Sequence, residues 1–368
     1  MARSRILAID VGTGTQDILV IEAGGLIENA VQLIMPSPTA LLAERVKQAT
    51  QDRVDLVLTG VTMGGGPGHW AVEAHLRAGL KVYATPDAAR TFDDDLDRVA
   101  AMGVRVVASA DAADGARRLE LRDFYLAELL QALRAFGVST AFDAVGVAVF
   151  DHGAAPPGVS DRRFRFDYLR EQVQRGFGLE GFGFLASEIP ARMTRMQAVA
   201  QGWSGPEPLF LMDTGPAAIL GALDDAVVAA SNAVAVLNIG NFHTIAALLD
   251  GRRIAGLFEH HTGELTRPKL ERYLDALATG TLSNDEVFAD MGHGALELGP
   301  NAGPPDRLAV TGPRRGLLAG SPLRPHLAVP HGDMMLAGCF GLLRALATRL
   351  PEFAPVVDEQ LGAPLQRR

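Results

Sequence analysis

Residues 6–20 read ILAIDVGTGTQDILV, and residues 234–249 read VAVLNIGNFHTIAALL. Each stretch has an apolar run, a polar residue, a glycine-containing turn and a second apolar run, which is typical of two strands joined by a tight turn. Glycines in such a turn let backbone N–H groups approach a phosphate closely. Because the two stretches lie about 230 residues apart, they predict two related halves that face each other across a cleft.

The rest of the chain has the alternating pattern of an α/β protein. The 368 residues, 48% hydrophobic and 21% charged, are enough for two packed domains and exclude disordered and fibrous classes. Apolar runs at 5–9, 18–21, 54–58, 81–84, 104–108 and 144–150 alternate with helical patterns at 68–78, 86–102 and 123–136. The segment GWSGPEP at 202–208 marks a boundary. We expect a first α/β domain over 1–205, a second over 206–350, and a partly ordered tail over 351–368.

Charge and cysteine content exclude several functions. The net charge of -9 argues against a nucleic-acid or anionic-membrane partner, because both need a basic surface. No apolar run approaches the roughly 20 residues that span a bilayer, and the N-terminus does not read as a signal peptide, so we expect a cytoplasmic protein. A single cysteine, Cys339, cannot form an internal disulfide or hold an iron–sulfur cluster. On its helical pattern it reads as a small core residue. The sequence is compatible with an oligomer.

The first hairpin contains the clearest candidate for metal binding. Asp10 ends the first predicted strand, where a carboxylate can bind a hydrated Mg²⁺ beside phosphates. The hydroxyl groups of Thr13 and Thr15 can add hydrogen-bond donors to the same phosphates. The alternative is an ordinary hairpin whose turn is built from glycine and threonine.

Five segments in order resemble the superfamily that contains sugar kinases, heat-shock-70 proteins and actin. The two hairpins resemble its phosphate-1 and phosphate-2 loops, and DTGPAAILGAL at 213–223 resembles its first connecting helix. LAVTGPRRG at 308–316 resembles the adenosine loop, and the stretch 330–343 resembles the second connecting helix. The resemblance implies two actin-like ATPase (ribonuclease H-like) domains around an interdomain nucleotide cleft, with ATP and Mg²⁺ as cofactors. It implies nucleotide contacts from Gly12, Thr13, Gly14, Thr15, Asp17, Asn238, Gly240, Asn241, His243, Thr244, Thr311, Gly312 and Arg314, and a metal contact from Asp10.

Shorter segments are similar to one prokaryotic family. MGGGP at 63–67, DHG at 151–153 and GPRR at 312–315 resemble the marks of the family labelled "putative pyruvate formate-lyase activating enzyme". The known route of glycyl-radical activation needs an iron–sulfur cluster held by three clustered cysteines. Since this chain has one cysteine, we do not expect that radical chemistry here.

Other candidates have two interpretations each. Asp151 follows a strongly apolar strand pattern and is either a general base or substrate anchor, or the start of a turn. The glycines at 63–68 either cradle an anion at a helix start or form a flexible loop. Arg314 and its neighbour Arg315 either contact a nucleotide or form an exposed basic turn. Asn238 stands where phosphate-2 loops usually have Asp, which removes one carboxylate from the expected Mg²⁺ site.

The histidines form a separate candidate. Residues 152, 243, 260, 261 and 293 are all histidine. Only long-range folding could bring them to one metal, and surface or hydrogen-bonded histidines are the alternative. His243 could also donate a hydrogen bond to a γ-phosphate.

Three functions are compatible with these features of the sequence. The preferred one is ATP-dependent phosphotransfer or hydrolysis on an unknown small molecule, with Asp10 as metal ligand and Asp151 at the acceptor. The second is a non-catalytic, nucleotide-gated regulatory or assembly protein, which Asn238 favours. The third is a metal-dependent hydrolase that uses the histidines.

Overall fold

The computed structural model describes residues 4–176, 178–297 and 304–363. The first part of the chain forms, in order, β1 (Arg5–Val11), β2 (Thr15–Glu22), β3 (Val31–Pro36), α1 (Pro38–Gln51), β4 (Leu56–Gly60), α2 (Gly66–Arg77), β5 (Val82–Ala84), α3 (Pro86–Ala89), α4 (Leu96–Ala101), β6 (Val104–Val106), β7 (Arg117–Leu121), α5 (Leu126–Ala135), β8 (Ala144–Val149), α6 (Asp161–Gln174), β9 (Gly183–Leu185), α7 (Thr194–Gln201) and β10 (Leu209–Asp213). The second part forms α8 (Thr214–Ala222), α9 (Ala226–Ala229), β11 (Ala233–Ile239), β12 (His243–Asp250), β13 (Arg253–His261), α10 (Arg267–Thr279), α11 (Asn284–Ala289), β14 (Gly294–Glu297), β15 (Arg307–Thr311), β16 (His326–Leu327), α12 (Ala337–Arg349) and α13 (Ala354–Leu361).

Two sheets share the same arrangement of five strands, and the sixth strand differs: β9 pairs with β10 in the first sheet, and β14 pairs with β13 in the second. In the first sheet the order is β3-β2-β1-β8-β10-β9, and in the second it is β14-β13-β12-β11-β15-β16. In each sheet, three antiparallel strands in chain order are followed by two strands parallel to the first of them: β8 and β10 beside β1, and β15 and β16 beside β11. This repeated order confirms the expected fold of two actin-like, ribonuclease H-like halves.

A third sheet is inserted between β3 and β8. Its strands run parallel in the order β6-β5-β4-β7, and its apolar residues form a core of their own with α1 and α2. The sequence predicts these strands to lie in the same domain as β1. Their apolar pattern does not indicate that they form a separate sheet. The single helical pattern at 86–102 is two short helices, because the side chain of Asp95 caps a new helix by accepting from Asp97 N.

The strand Leu209–Asp213 belongs to the first sheet, although the sequence places it after the boundary at 205. All its residues are buried, and it pairs in parallel with β8, which satisfies its backbone groups on that side. The last helix, Ala354–Leu361, packs against α12, where the Arg344 guanidinium donates to the carbonyl of Leu361 at 2.8 Å. Part of the expected tail is therefore helical, while residues 364–368 lie outside the described residues.

Helices α8 and α12 cross between the two main sheets and position the cleft. A Cβ at Gly221 would lie 1.8 Å from the carbonyl oxygen of Ala337, and a Cβ at Gly341 would lie 1.9 Å from that of Ala217. Only glycine allows so close a crossing. Helix α12 begins at Ala337, within the stretch 330–343 that resembles the second connecting helix. Among the described residues, no helix is both long and apolar enough to cross a bilayer.

Candidate functional site

The two hairpin turns close in the same way. Gly12 N donates to the carbonyl of Thr15 at 2.9 Å, and Gly240 N donates to the carbonyl of His243, also at 2.9 Å. Both turns follow the carboxyl end of the strand to which later strands run parallel, so they lie at equivalent places in the two sheets. They also touch, because a Cβ at Gly14 would meet the Asn241 side-chain nitrogen at 2.3 Å.

A cavity lies between these turns and the crossing helices. Most of the residues expected to bind nucleotide line it: Asp10, Gly12, Thr13, Thr15, Asp17, Asn238, Gly240, Asn241, His243, Thr311 and Gly312. We call it the first cavity. The structure thus brings together residues that the sequence separates by about 300 positions.

Three expected contacts do not line this cavity. Gly14 instead packs against the side chain of Asn241. Thr244 is buried, with its hydroxyl 2.9 Å from the hydroxyl of Thr262. Arg314 is exposed, which agrees with the alternative of an exposed basic turn.

Asp10 and Asp17 form a buried carboxylate pair opposite each other on β1 and β2. The Thr214 hydroxyl donates to Asp10 Oδ1 at 2.5 Å, while Asp17 Oδ1 is buried and has no partner among the described residues. Burial raises the pKa of Asp10 to about 7. Burial, followed by the charge of Asp10, raises the pKa of Asp17 to about 8. Two close carboxylates with an unpartnered oxygen fit a hard divalent cation such as Mg²⁺.

A buried ion cluster joins the two main sheets at the side of the first cavity. Arg165 on α6 is fully buried and makes two hydrogen bonds to Asp213 at the end of β10. It makes two more to Glu259 on β13, at 3.0 and 2.9 Å. These carboxylates raise the arginine pKa against the opposing effect of burial, whereas burial raises the pKa of Glu259 despite Arg165. The cluster fixes the relative position of the two halves.

A second cavity adjoins the first. It is lined by the glycine loop 64–66, by acidic residues including Asp93, Asp94 and Asp161, and by 151–153. Both cavities share Phe150, Arg195 and His243 in their walls. The two cavities therefore meet at these three residues.

Asp151 does not have the geometry of a general base. Its Oδ1 accepts from Gly153 N and its Oδ2 accepts from Met196 N, both at 2.8 Å. Burial is the main cause that raises its pKa. With both oxygens occupied by backbone donors, Asp151 holds the turn that carries His152, as in the alternative interpretation.

The glycine loop 63–68 starts α2, and the backbone N–H groups of Met63, Gly64 and Gly68 are engaged by side chains. Gly64 N donates to Asp123 Oδ1 at 3.2 Å, and Asp123 also pairs with Arg195 at 2.6 Å. A Cβ at Gly66 would lie 3.1 Å from the methyl group of Thr13. The loop therefore packs against the first hairpin and lines the second cavity.

Three of the five singled-out histidines meet at the junction of the cavities. One ligand nitrogen from each of His152, His243 and His293 lies within 4.8 Å of the others. His261 lies beside them, with its ring centroid 4.7 Å from that of His293. Burial lowers the pKa of His152 to about 3 and also lowers those of His243 and His293. His260 lies outside the group, with its Nε2 3.4 Å from Asp290.

Sequence reasoning missed Arg165, Arg195 and Glu259 as site residues. Glu259 had a recognisable signal, because a carboxylate inside the apolar strand 253–261 needs a buried partner. The arginines had no comparable signal, since the segment that contains Arg165 is rich in arginine throughout.

Two sheets of this order, with a cavity between matching hairpin turns, define a protein of the actin-like ATPase fold. Within that class, the sequence model described as "Putative pyruvate format-lyase activating enzyme (DUF1786)" matches residues 63–317. The chain belongs to this family, as its sequence resemblance predicted.

Solved structures give distant matches. A Ppx/GppA family member from Aquifex aeolicus is 10% identical, with a TM-score of 0.28, over 84% of this chain and 66% of that one. A ROK hexokinase from Thermus thermophilus is 12% identical, with a TM-score of 0.24, over 68% of this chain and 47% of that one. An exopolyphosphatase-like protein is 10% identical, with a TM-score of 0.26, over 99% of this chain and 93% of that one. The chain thus spans slightly less than two thirds of the first and about half of the second, and no curated protein matches it. The fold assignment rests on the strand order.

Proposed function

We propose that this protein binds Mg²⁺-ATP in the first cavity and transfers the terminal phosphoryl group to a small molecule or to water. The observation that carries the proposal is the convergence of two identically closed glycine turns on one cavity that also holds a buried carboxylate pair. Such turns present backbone N–H groups to phosphates.

The chain's own residues divide the binding between them. Asp10 and Asp17 would hold Mg²⁺, which would neutralise part of the charge on the phosphates. The hydroxyls of Thr13 and Thr15, together with the turn N–H groups, would bind phosphate oxygens. The Gly312 turn would lie beside the base and ribose, since its φ of +94° and close approach to Asn238 leave no room for a side chain.

The second cavity is the proposed acceptor site, because it shares a wall with the first. Asp151 would act there through position, by orienting His152. Arg195 would stay in place through its two bonds to Asp123 and one to the Phe150 carbonyl. It would contribute a fixed positive charge near the transferred group.

A nucleotide-gated regulator is the second candidate, and Asn238 favours it. This residue occupies the position in the second hairpin that Asp10 occupies in the first, so a carboxylate ligand for Mg²⁺ is missing on that side. Nucleotide could then bind and close the cleft without rapid turnover.

Calorimetric titration of the full chain with Mg²⁺-ATP tests both candidates. We expect saturable binding that is weakened at least tenfold in Asp10→Ala and unchanged in Asp87→Asn, whose side chain is 73% exposed on α3. No binding at millimolar nucleotide would contradict both candidates. If ATP binds, a hydrolysis rate that falls in Asp10→Ala supports the enzyme, and an equal, near-zero rate in both proteins supports the regulator.

A further inference from the structure

Three histidines from three separate segments converge at the junction of the two cavities. His152 follows β8 of the first sheet, His243 begins β12 of the second, and His293 immediately precedes β14. Their ligand nitrogens lie within 4.8 Å of one another. The folding of both halves is needed to bring these side chains together.

Three nitrogens of this group are buried without a partner among the described residues. His243 Nε2 and both ring nitrogens of His293 are buried and have no hydrogen bond among the described residues. Buried polar atoms are normally paired, and an unpaired group calls for a specific explanation such as a bound ion or water. The adjacent His261 differs, because its Nδ1 lies 2.9 Å from the carbonyl oxygen of Met291.

The surroundings hold the imidazoles in place. The ring of Phe150 stacks on that of His243, with centroids 3.9 Å apart and planes inclined by 7°. The Oε2 atom of Glu259 lies 3.9 Å from His293 Nδ1. A carboxylate hydrogen-bonded to the second nitrogen of a metal-binding histidine is the usual orienting partner, and Glu259 lies near that position without forming the hydrogen bond.

Charge balance also permits a cation. Arg165 is paired with two carboxylates, those of Asp213 and Glu259, and Arg195 is paired with Asp123. The five groups together have a net charge of about one negative unit if all are ionised. Each nearby guanidinium group therefore has a carboxylate partner that offsets part of its charge.

We propose that His152, His243 and His293 form a binding site for a divalent transition metal ion of the zinc class. Three imidazole ligands suit Zn²⁺ and its first-row neighbours, whereas Mg²⁺ prefers oxygen ligands such as Asp10 and Asp17. This metal site is distinct from the proposed Mg²⁺ site and does not depend on nucleotide binding.

The position of the site suggests what the metal would do. Three protein ligands leave a fourth coordination position for water or a small molecule. His152 and His243 line the second cavity, so an oxygen or nitrogen donor of a molecule held there could take that position. Because the ligands come from both main sheets, the metal would also tie the two halves together across the cleft.

Metal titration of the chelator-treated full chain tests the proposal with Zn²⁺ and Co²⁺ as probes. We expect about one equivalent of Zn²⁺ to bind per chain, and Co²⁺ to give the intense visible d–d absorption of a four-coordinate site. Separate His243→Ala and His293→Ala substitutions should each weaken Zn²⁺ binding at least ~100-fold, since each removes a ligand. His69→Gln, which changes another histidine of the second cavity, should leave binding unchanged.

Two further measurements keep the result decisive. Circular dichroism and thermal melting identify any variant that fails to fold. If His293→Ala fails to fold, His293→Gln is used in its place, because glutamine fills more of the space of the imidazole ring. Asp10→Asn should retain full Zn²⁺ affinity, which separates this site from the carboxylate pair. Absence of stoichiometric Zn²⁺ or Co²⁺ binding, or equal affinity in the folded histidine variants and the wild type, would overturn the proposal.

Discussion

The two hairpins of the cleft have the same backbone and different side chains. Each turn is closed by a glycine N–H bonded to the carbonyl three residues later. In the first hairpin, Asp10 pairs across the strands with Asp17; at the equivalent place in the second, Asn238 pairs with Ile245. The cleft is therefore symmetric in its backbone and asymmetric in its chemistry.

This difference separates what the fold requires from what the chemistry requires. The turn geometry depends on glycine and backbone hydrogen bonds, so it is kept on both sides. The first hairpin places two carboxyl groups together, which suits Mg²⁺, whereas the turn of the second hairpin ends at His243, beside other imidazoles. One scaffold thus presents oxygen ligands on one side and nitrogen ligands on the other.

The largest expected effect tests the shared backbone. Gly312 packs against Asn238 and has a φ of +94°. A Cβ at this position would lie 2.5 Å from Asn238 Oδ1 and 2.5 Å from the Ile239 carbonyl oxygen. Gly312→Ala should therefore reduce the free energy of unfolding by about 3 kcal/mol, from clash and backbone strain together. Urea unfolding measures this. Gly316→Ala is the control, since nothing lies within 4 Å of its Cβ, and equal losses in the two variants would contradict the packing.

The next effect tests the asymmetry directly. Asn238→Asp gives the second hairpin the carboxylate that the first has at the equivalent position. Affinity for Mg²⁺-ATP should rise about tenfold, or roughly 1.4 kcal/mol, because another anionic oxygen faces the metal. Asn232→Asp makes the same chemical change at an exposed residue just before β11, which is not part of the cavity lining, and should alter affinity much less. Titration calorimetry with and without Mg²⁺ decides, and a gain that persists without Mg²⁺ would refute the metal explanation.

The sequence predicted the backbone of this comparison well. The two hairpins, the crossing helices and the adenosine-like strand have local signals, such as apolar alternation and glycine at turns, and all form as expected. The order of the five segments also predicted eleven of the residues that line the first cavity, whereas Gly14, Thr244 and Arg314 do not line it. Local patterns sufficed because turns and strands are determined mainly by neighbouring residues.

The inserted sheet and the paired charges could not be predicted in the same way. The strand Leu56–Gly60 has the same apolar pattern as a strand of the main sheet, and only its pairing with β5 and β7 separates it. Likewise, the partners of Arg165 lie 48 and 94 residues away. The exposure of Arg314 and the occupied oxygens of Asp151 also depend on tertiary contacts.

A smaller effect concerns pH and the carboxylate pair. The raised pKa of Asp17, about 8, means that the folded protein holds this proton more tightly than the unfolded chain, whose Asp pKa is about 3.9. Its contribution to stability is complete below about pH 4 and is lost as pH rises toward 8. In chelator-containing buffer, the free energy of unfolding of the wild type should fall between pH 5 and pH 8. The fall should be smaller in Asp17→Asn by at least about 1 kcal/mol. Asp87→Asn should follow the wild type in denaturant melts, and a parallel loss in Asp17→Asn would contradict the buried pair.

The smallest expected effect concerns the tip of the second turn. There Phe242 contacts Trp70 of the inserted sheet's α2, with ring centroids 5.7 Å apart and planes inclined by 51°, whereas the first turn has Gly14 at the same place. A double-mutant cycle of Trp70→Ala and Phe242→Ala should give a coupling of about 0.5 kcal/mol, since Trp70 is 54% exposed and aromatic pairs contribute little beyond buried area. A cycle of Trp70→Ala with Phe288→Ala, on α11, should be additive. If the coupling between Trp70 and Phe242 is indistinguishable from this control, the inserted sheet does not hold the second hairpin. The asymmetry of the cleft would then be confined to the residues that line the cavity.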